Sequence, residues 1–218
     1  IQGVPQMSKA QWVHKFKLKE NCWVFVPTEA SLILGRQINS DIEAKWRPPH
    51  FYAHLKAGGH VAALKSHLGS KYFIRADIKN FFNSINRTRV TRELKPLFAQ
   101  YEISRNIANA STVSNPENRR ESILPFGFVQ SPIIASLCLC NSALGNYLNK
   151  LDKRGFTVSV YMDDIIISTT QPIEIAESVF NDLIQKADRS NFSLNPKKTI
   201  GPVESITAFN VDLSSTSL

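Results

Sequence analysis

The sequence predicts an α+β fold in which an antiparallel sheet carries a cluster of carboxylates and helices pack behind it. Three observations predict it. Around Tyr161-Met162-Asp163-Asp164, an alternating run (Thr157-Val158-Ser159-Val160) and a β-branched run (Ile165-Ile166-Ile167) read as the two arms of a hairpin with an acidic tip. A second strand, Lys71 to Ile78, places Tyr72, Ile74 and Ala76 on one face and Phe73, Arg75 and Asp77 on the other. Apolar residues at helical spacing recur before, between and after these strands.

Adjacent side chains on a flat strand point to opposite faces, so Asp163 and Asp164 serve one site only if the backbone bends between them. A turn tip supplies that bend, and an ordinary solvated turn would carry the same residues. Asp77 ends a core strand, where a buried carboxylate must be solvated, paired with Lys or Arg, or bound to a cation. If the two strands are neighbours, the three carboxylates form a hard, all-oxygen site suited to magnesium or manganese. Two such ions about 3.5–4 Å apart serve in-line phosphoryl or nucleotidyl transfer.

Four stretches in order, Phe73–Ile85 (FIRADIKNFFNSI), Leu124–Pro132 (LPFGFVQSP), Tyr161–Asp164 (YMDD) and Asn191–Thr199 (NFSLNPKKT), resemble the palm motifs of bacterial reverse transcriptases of the retron and group II intron type, including the phage-defence enzymes. Tyr52–Val61 and His67–Tyr72 resemble the retron segment that leads into the first of these motifs, and the likeness runs from about Cys22 to Asp212. The resemblance implies a right-hand polymerase, with fingers at 1–70, palm at 71–87, a fingers or variable insertion at 88–122 and palm again at 123–218. It also implies RNA-directed DNA synthesis with two Mg2+ (or Mn2+) ions at Asp77, Asp163, Asp164 and the Ile78 carbonyl. Lys198 would stand near the leaving pyrophosphate, and Phe126, Gly127, Gln130, Tyr161 and Met162 would line the substrate. Phe82, five positions after Asp77, matches the family's aromatic gate against a 2′-hydroxyl, and Phe126 stands where the family usually has a polar residue.

Composition agrees with a nucleic-acid partner. The 218 residues carry a formal charge of +8, with 43% hydrophobic residues, enough for one large or two interlocked domains. Such a surplus suggests a polyanion, nucleic acid first and anionic membrane second. Cys22, Cys138 and Cys140 form no disulfide or metal pattern, and no apolar run is long enough to span a bilayer, which reads as a reduced, cytoplasmic chain without membrane attachment. The chain begins at Ile1 rather than Met, as a fragment or a processed form does.

In order, His14–Lys19 alternates strictly and sets Lys15, Lys17 and Lys19 on one strand face, as a lysine-protected edge or as a strand facing phosphates. Trp23–Val26 is its hairpin partner. In the family a basic residue often contacts the triphosphate near the place of Trp23, so that role passes to Lys17, Lys19 or Arg36. A helix follows from Thr28 to Lys45, with Leu32, Ile38 and Ile42 inward. His50, His54, His60 and His67 lack companion ligands at metal spacing and read as structural or nucleic-acid-facing. A helix from His60 to Leu68 carries Val61, Leu64 and Leu68 inward before Gly69. One of Phe81 and Phe82 must turn away from the core. A helix at 88–98 buries Val90, Leu94, Leu97 and Phe98, and the polar stretch 104–122 reads as a surface loop. Ser131 as N-cap and Pro132 in the first turn open a helix whose stripe runs through Ile133, Leu137, Cys140, Leu144, Leu148 and Leu151. Pro172 opens another to Asp188, with Ile173, Ala176, Phe180, Leu183 and Ala187 inward. Ile206–Val211 resembles the hairpin that grips a primer end. Only six residues follow Asp212, too few for a thumb.

The expected substrates are deoxynucleoside triphosphates, an RNA template and a DNA or RNA primer, or a structured non-coding RNA. A second copy of the chain or further subunits would replace the thumb. Two other functions suit the same residues: untemplated or protein-primed synthesis, suggested by Phe126 and the short C-terminus, and a non-catalytic RNA-binding assembly subunit, for which the charge suffices. Three retained carboxylates speak against the last, because their mutual repulsion serves no binding role.

Overall fold

The computed structural model describes residues 9–217. In chain order the strands are β1 (Trp12–Lys19), β2 (Cys22–Pro27), β3 (Tyr72–Asp77), β4 (Val113–Ser114), β5 (Ser122–Ile123), β6 (Thr157–Tyr161), β7 (Asp164–Thr169), β8 (Ile200–Val203), β9 (Ser205–Ala208) and β10 (Val211–Ser214). The helices are α1 (Glu29–Lys45), α2 (Gly59–Ser66), α3 (Arg87–Leu94), α4 (Tyr101–Ser111), α5 (Ser131–Cys140), α6 (Ala143–Lys153) and α7 (Ile173–Arg189). The chain divides into two compact units, one of residues 1–47 with 80–138 and the other of residues 48–79 with 139–218. Segment 48–70 thus groups with the strand that carries Asp77.

In the first unit β1 and β2 form an antiparallel hairpin, with Lys15 opposite Phe25 and Lys17 opposite Trp23. Phe25 is buried with Val113, Ile123 and Phe128. On the opposite strand face Phe16 and Leu18 stay exposed, so the alternation is present but its apolar side is not core. Thr28 caps α1 by accepting the Ser31 N–H (3.2 Å), and Ile38 and Ile42 are its fully buried residues. The stretch 104–122 is not a loop throughout. Residues 101–111 are α4, which buries Ile107, Ala108 and Ala110 with Ser104 and Ser111. Small side chains let this helix pack closely, and their low hydrophobicity hid it among polar neighbours.

The second unit is built on a four-stranded antiparallel sheet in the order β6-β7-β3-β8. Because β3 is an inner strand it is covered on both faces: Phe73, Ile74 and Ala76 are all buried. Phe73 packs with Leu64 of α2, Ile166 of β7 and Ile206, Ala208 and Leu213 of the β9–β10 hairpin. In α2 only Ala63 and Leu64 are buried, while Val61 and Leu68 face outward, because the helix is too short to present a full stripe. In α7 Ala176, Val179, Leu183 and Ala187 are buried, and Ile173 lies at the exposed N-terminus.

The long helix expected over 131–151 is two helices. Chain direction changes at Asn141-Ser142, where Ser142 accepts the Gly145 N–H (3.1 Å) and starts α6. The two helices meet so tightly that a Cβ on Gly145 would lie 2.1 Å from the Leu139 carbonyl oxygen and 2.5 Å from that of Cys140. Apolar spacing alone could not show the break, since Leu137, Leu144, Leu148 and Leu151 are buried in either arrangement. Nor does Ser131 cap α5: its buried hydroxyl donates to the Pro125 carbonyl (2.7 Å). Gly145→Ala is expected to destabilise the chain by about 2–3 kcal/mol, the cost of overpacking against backbone that cannot yield. Urea unfolding checks it, with Ser142→Ala losing about 1 kcal/mol as a cap deletion.

Candidate active site

The acidic tip is built by sheet register. Asp77, the last residue of β3, lies directly opposite Asp164, the first of β7, and Asp164 also pairs with Tyr161 across the hairpin. Beyond the ladder the Ile78 N–H donates to the Asp163 carbonyl (2.8 Å), fixing the turn against the end of β3. Met162 occupies the left-handed region at φ 57°, which is uncommon for a side-chain-bearing residue. That conformation is the bend that brings adjacent carboxylates to one site.

Two cations face the three acids. Lys198 Nζ lies 2.9 Å from Asp77 Oδ2, with the Asp77 side chain 6% exposed and that of Lys198 49%. Arg75 engages Asp164 through Nη2 (2.8 Å) and Nε (3.2 Å). Asp163 has neither partner. Burial, and then the charges of Asp164 and Asp77, push its carboxyl above the usual range against the opposing pull of Lys198. Lys198 in turn is raised, first by its hydrogen bond to Asp77 and further by the field of all three acids. The carboxylates therefore feel one another.

The donor set suits a hard divalent cation. Among the described residues, no three His, Cys, Asp or Glu side chains are gathered as a ready cage, because two of the acids are turned to Lys198 and Arg75. Ile78 is buried, and its N–H is committed to the turn.

Behind the tip lie two histidines that sequence reasoning left as generic. His54 Nδ1 accepts the Met162 N–H (3.1 Å), so the turn amide is held by a neutral imidazole. Burial pushes its pKa down to about 4 despite the Val160 carbonyl, which favours the proton. His67, fully buried, bridges the two hairpin arms between Ser159 Oγ (2.8 Å) and Ser168 Oγ (2.7 Å), and burial lowers it to about 4 as well. Their long sequence separation from the hairpin carries no local signal. Tyr161 is ringed edge-on by His54 (5.7 Å), His60 (6.0 Å) and Phe209 (5.3 Å).

The remaining candidates lie in the first unit. Phe81 is buried and Phe82 only half-buried, so the second ring is the one turned from the core, edge-on to Phe126 at 5.7 Å. Phe126 is 43% exposed. Gly127, at φ 109°, makes its close approach to β2: a Cβ there would sit 2.3 Å from the Phe25 carbonyl oxygen. Gln130 is buried, and its amide donates to the Ala110 carbonyl (3.3 Å) and to Ser111 Oγ (3.4 Å), an internal strut between α4 and α5. Lys17 is paired with Glu117 (3.0 Å), which also accepts the Trp23 indole N–H (2.8 Å).

The second unit thus sets acids at the end of an inner strand of a four-stranded antiparallel sheet and at the adjoining turn, with a lysine beside them. The chain belongs to the reverse transcriptase (RNA-dependent DNA polymerase) family, whose model matches residues 29–206. It is similar to the retron Se72 reverse transcriptase of Salmonella heidelberg (strain 579083-10), with 26% identity over 203 residues covering 91% of this chain and 52% of that one. It is also similar to the retron Ec73 reverse transcriptase of Escherichia coli, with 29% identity over 154 residues covering 63% and 45%. The chain thus spans about half the length of the curated relatives it matches. The fold is shared with telomerase from Candida albicans, solved in complex with the TWJ fragment of telomeric RNA, at a TM-score of 0.59 and 12% identity over 85% of this chain and 36% of that one. No helix among the described residues is long and apolar enough to cross a membrane.

Both buried histidines stay neutral in the fold at pH values where the unfolded chain protonates them. Their contribution to stability is complete above the ordinary imidazole value near 6.5 and is lost as pH falls toward 4. Urea midpoints measured across that window should fall with acidity by up to two protons' worth of slope, and His54→Gln with His67→Gln should flatten the curve.

Proposed function

We propose that this chain is the catalytic core of an RNA-directed DNA polymerase that adds deoxynucleotides to a 3′-hydroxyl. The observation that carries the reading is the register that sets Asp77 opposite Asp164, with Asp163 held beside them by the Ile78 N–H. Residues of the β6-β7-β3-β8 sheet are the palm, and the β1–β2 hairpin with α1 belongs to the fingers.

Asp77 and Asp163 would hold the divalent cations, Mg2+ or Mn2+, with the Ile78 carbonyl contributing and Asp164 assisting from its ion pair with Arg75 rather than as a direct ligand. Ions bound there neutralise charge that develops on the transferred phosphoryl group. Lys198 now neutralises Asp77 on a flexible, half-exposed stem, so it can leave that carboxylate at little cost in packing. Released, its ammonium stabilises the pyrophosphate leaving group or gives it a proton. His54 keeps the turn in its left-handed conformation by accepting the Met162 N–H. Phe82, on the family pattern, excludes a 2′-hydroxyl, and Tyr161 and Met162 face the primer end together with the β9–β10 hairpin.

The partners are an RNA template, a DNA or RNA primer and deoxynucleoside triphosphates. The setting is cytoplasmic, in a bacterial retroelement or antiphage system of the retron type. The formal charge of +8 supports a polyanionic partner.

Primer extension on an RNA template tests the reading. Asp163→Asn should lose about a thousandfold in rate, as removal of a charge that acts in the transition state does. The same substitution relieves the burial and like-charge repulsion that raise the half-buried Asp163 carboxyl, so the metal-free chain should gain about 1 kcal/mol of stability at neutral pH. Equal incorporation by both proteins would remove the site assignment, and incorporation without added template would point to untemplated synthesis. Phe82→Ala should improve ribonucleotide use relative to deoxynucleotides by about tenfold, measured as the ratio of kcat/KM values.

A further inference from the structure

Arg75 stands two residues before Asp77 on the same strand face, and no motif described above assigns it a role. Its guanidinium makes three contacts with different partners. Nη2 and Nε hold Asp164 Oδ1 at 2.8 and 3.2 Å, and Nη1 donates to the Thr207 carbonyl at 2.6 Å. The Arg75 and Asp164 side chains are 18% and 19% exposed, so the pair is substantially withdrawn from water. Thr207 lies in β9 opposite Asp212 of β10, and its hydroxyl donates to Asp212 Oδ1 (2.6 Å). No direct contact between Asp164 and the β9–β10 hairpin is needed, because one planar, permanently charged fork spans both.

We propose that Arg75 is a positioning residue that ties the acidic tip to the β9–β10 hairpin and keeps the Asp164 carboxylate engaged away from the cations. This inference rests on the polymerase reading for its consequence and on geometry alone for its structure. The cations are then held by Asp77 and Asp163, and Asp164 acts through Arg75 to set the hairpin against the tip. A 3′-end resting on the hairpin is therefore placed by the same side chain that balances the third acid. The Asp77 ion pair with Lys198 uses a mobile lysine, whereas the Asp164 pair uses an arginine anchored at a third point. The first is built to exchange and the second to stay.

The test has two readouts that need no catalysis. Mn2+ affinity, measured by the free-ion electron paramagnetic resonance signal, should tighten several-fold in Arg75→Met, because Asp164 is freed to bind. Amide hydrogen exchange at 205–214 should rise by about tenfold in Arg75→Met and also in Asp164→Asn, because Arg75 hydrogen-bonds both Asp164 and the hairpin. The double variant should be no worse than the more damaged single one. Arg75→Lys, which keeps the charge but not the fork, should fall between wild type and Arg75→Met and covers the case in which Arg75→Met does not fold. In primer extension, Arg75→Met should raise the primer KM by about tenfold while changing the nucleotide KM little. Weaker Mn2+ binding in Arg75→Met, unchanged exchange at 205–214 in Asp164→Asn, or an unmoved primer KM would each overturn the proposal. Absence of extension by the wild-type protein would instead overturn the polymerase reading, and the Mn2+ and exchange measurements would still decide the role of Arg75.

Discussion

The pairing of β3 with β7 is the constraint on which the site depends. Asp77 opposite Asp164 is a like-charge pair at directly facing positions of an antiparallel ladder, an arrangement that costs stability. Register is held in spite of this by Ile74 opposite Ile167 and Ala76 opposite Ile165, all buried, and a one-residue slip would carry those side chains to the wrong face. Apolar burial along the strands thus sets the position of acids that repel at their ends. The repulsion is met locally, by Lys198 on Asp77 and Arg75 on Asp164, and only in part at Asp163, whose carboxyl stays above the usual range against the pull of its own backbone N–H and of Lys198. The proposed uptake of divalent ions needs such a deficit, since a fully neutralised cluster would have no electrostatic reason to take up an ion.

Support behind the tip is polar and local. The neutral imidazole of His54 accepts the Met162 amide, and His67 joins Ser159 and Ser168 across the two arms. His67 is fully buried and His54 half-buried, both without a charge, and their hydrogen bonds satisfy groups partly or wholly withdrawn from water. The hairpin therefore keeps its strained left-handed residue for reasons distributed over α2, the segment before it and the sheet. Stability and the geometry of the acidic tip are here the same set of contacts.

Much of this was legible in the sequence because it is periodic or local. The hairpin arms, the end of β3 at Asp77 and the β1–β2 hairpin follow from alternation and turn chemistry, the free cysteines from their spacing, and the hairpin near 206–211 from the family resemblance. Strand alternation also set Arg75 on the Asp77 face, but its partners Asp164 and Thr207 lie 89 and 132 residues away, beyond what spacing can show. Helix α4 was missed because its buried face, Ile107 apart, is made of alanine and serine. The break before α6 was missed because leucines keep their spacing through it, while the cause, the close approach of Gly145 to the Leu139 carbonyl, is a tertiary event. Gln130, which the resemblance sets along the substrate, is buried with its side-chain NH2 donating to Ala110 and Ser111 inside the first unit, partners that motif spacing does not reveal.

The central claim is that register gathers Asp77 and Asp163 to share divalent ions while Asp164 is held by Arg75. Crystals of the protein grown with manganese, and diffracted at the metal's absorption edge, test it most directly. The account predicts anomalous density bordered by the carboxylates of Asp77 and Asp163, with Lys198 moved off Asp77 and Arg75 still on Asp164. Density at Asp164 with Arg75 released, or none at all with Lys198 still paired to Asp77, would contradict it.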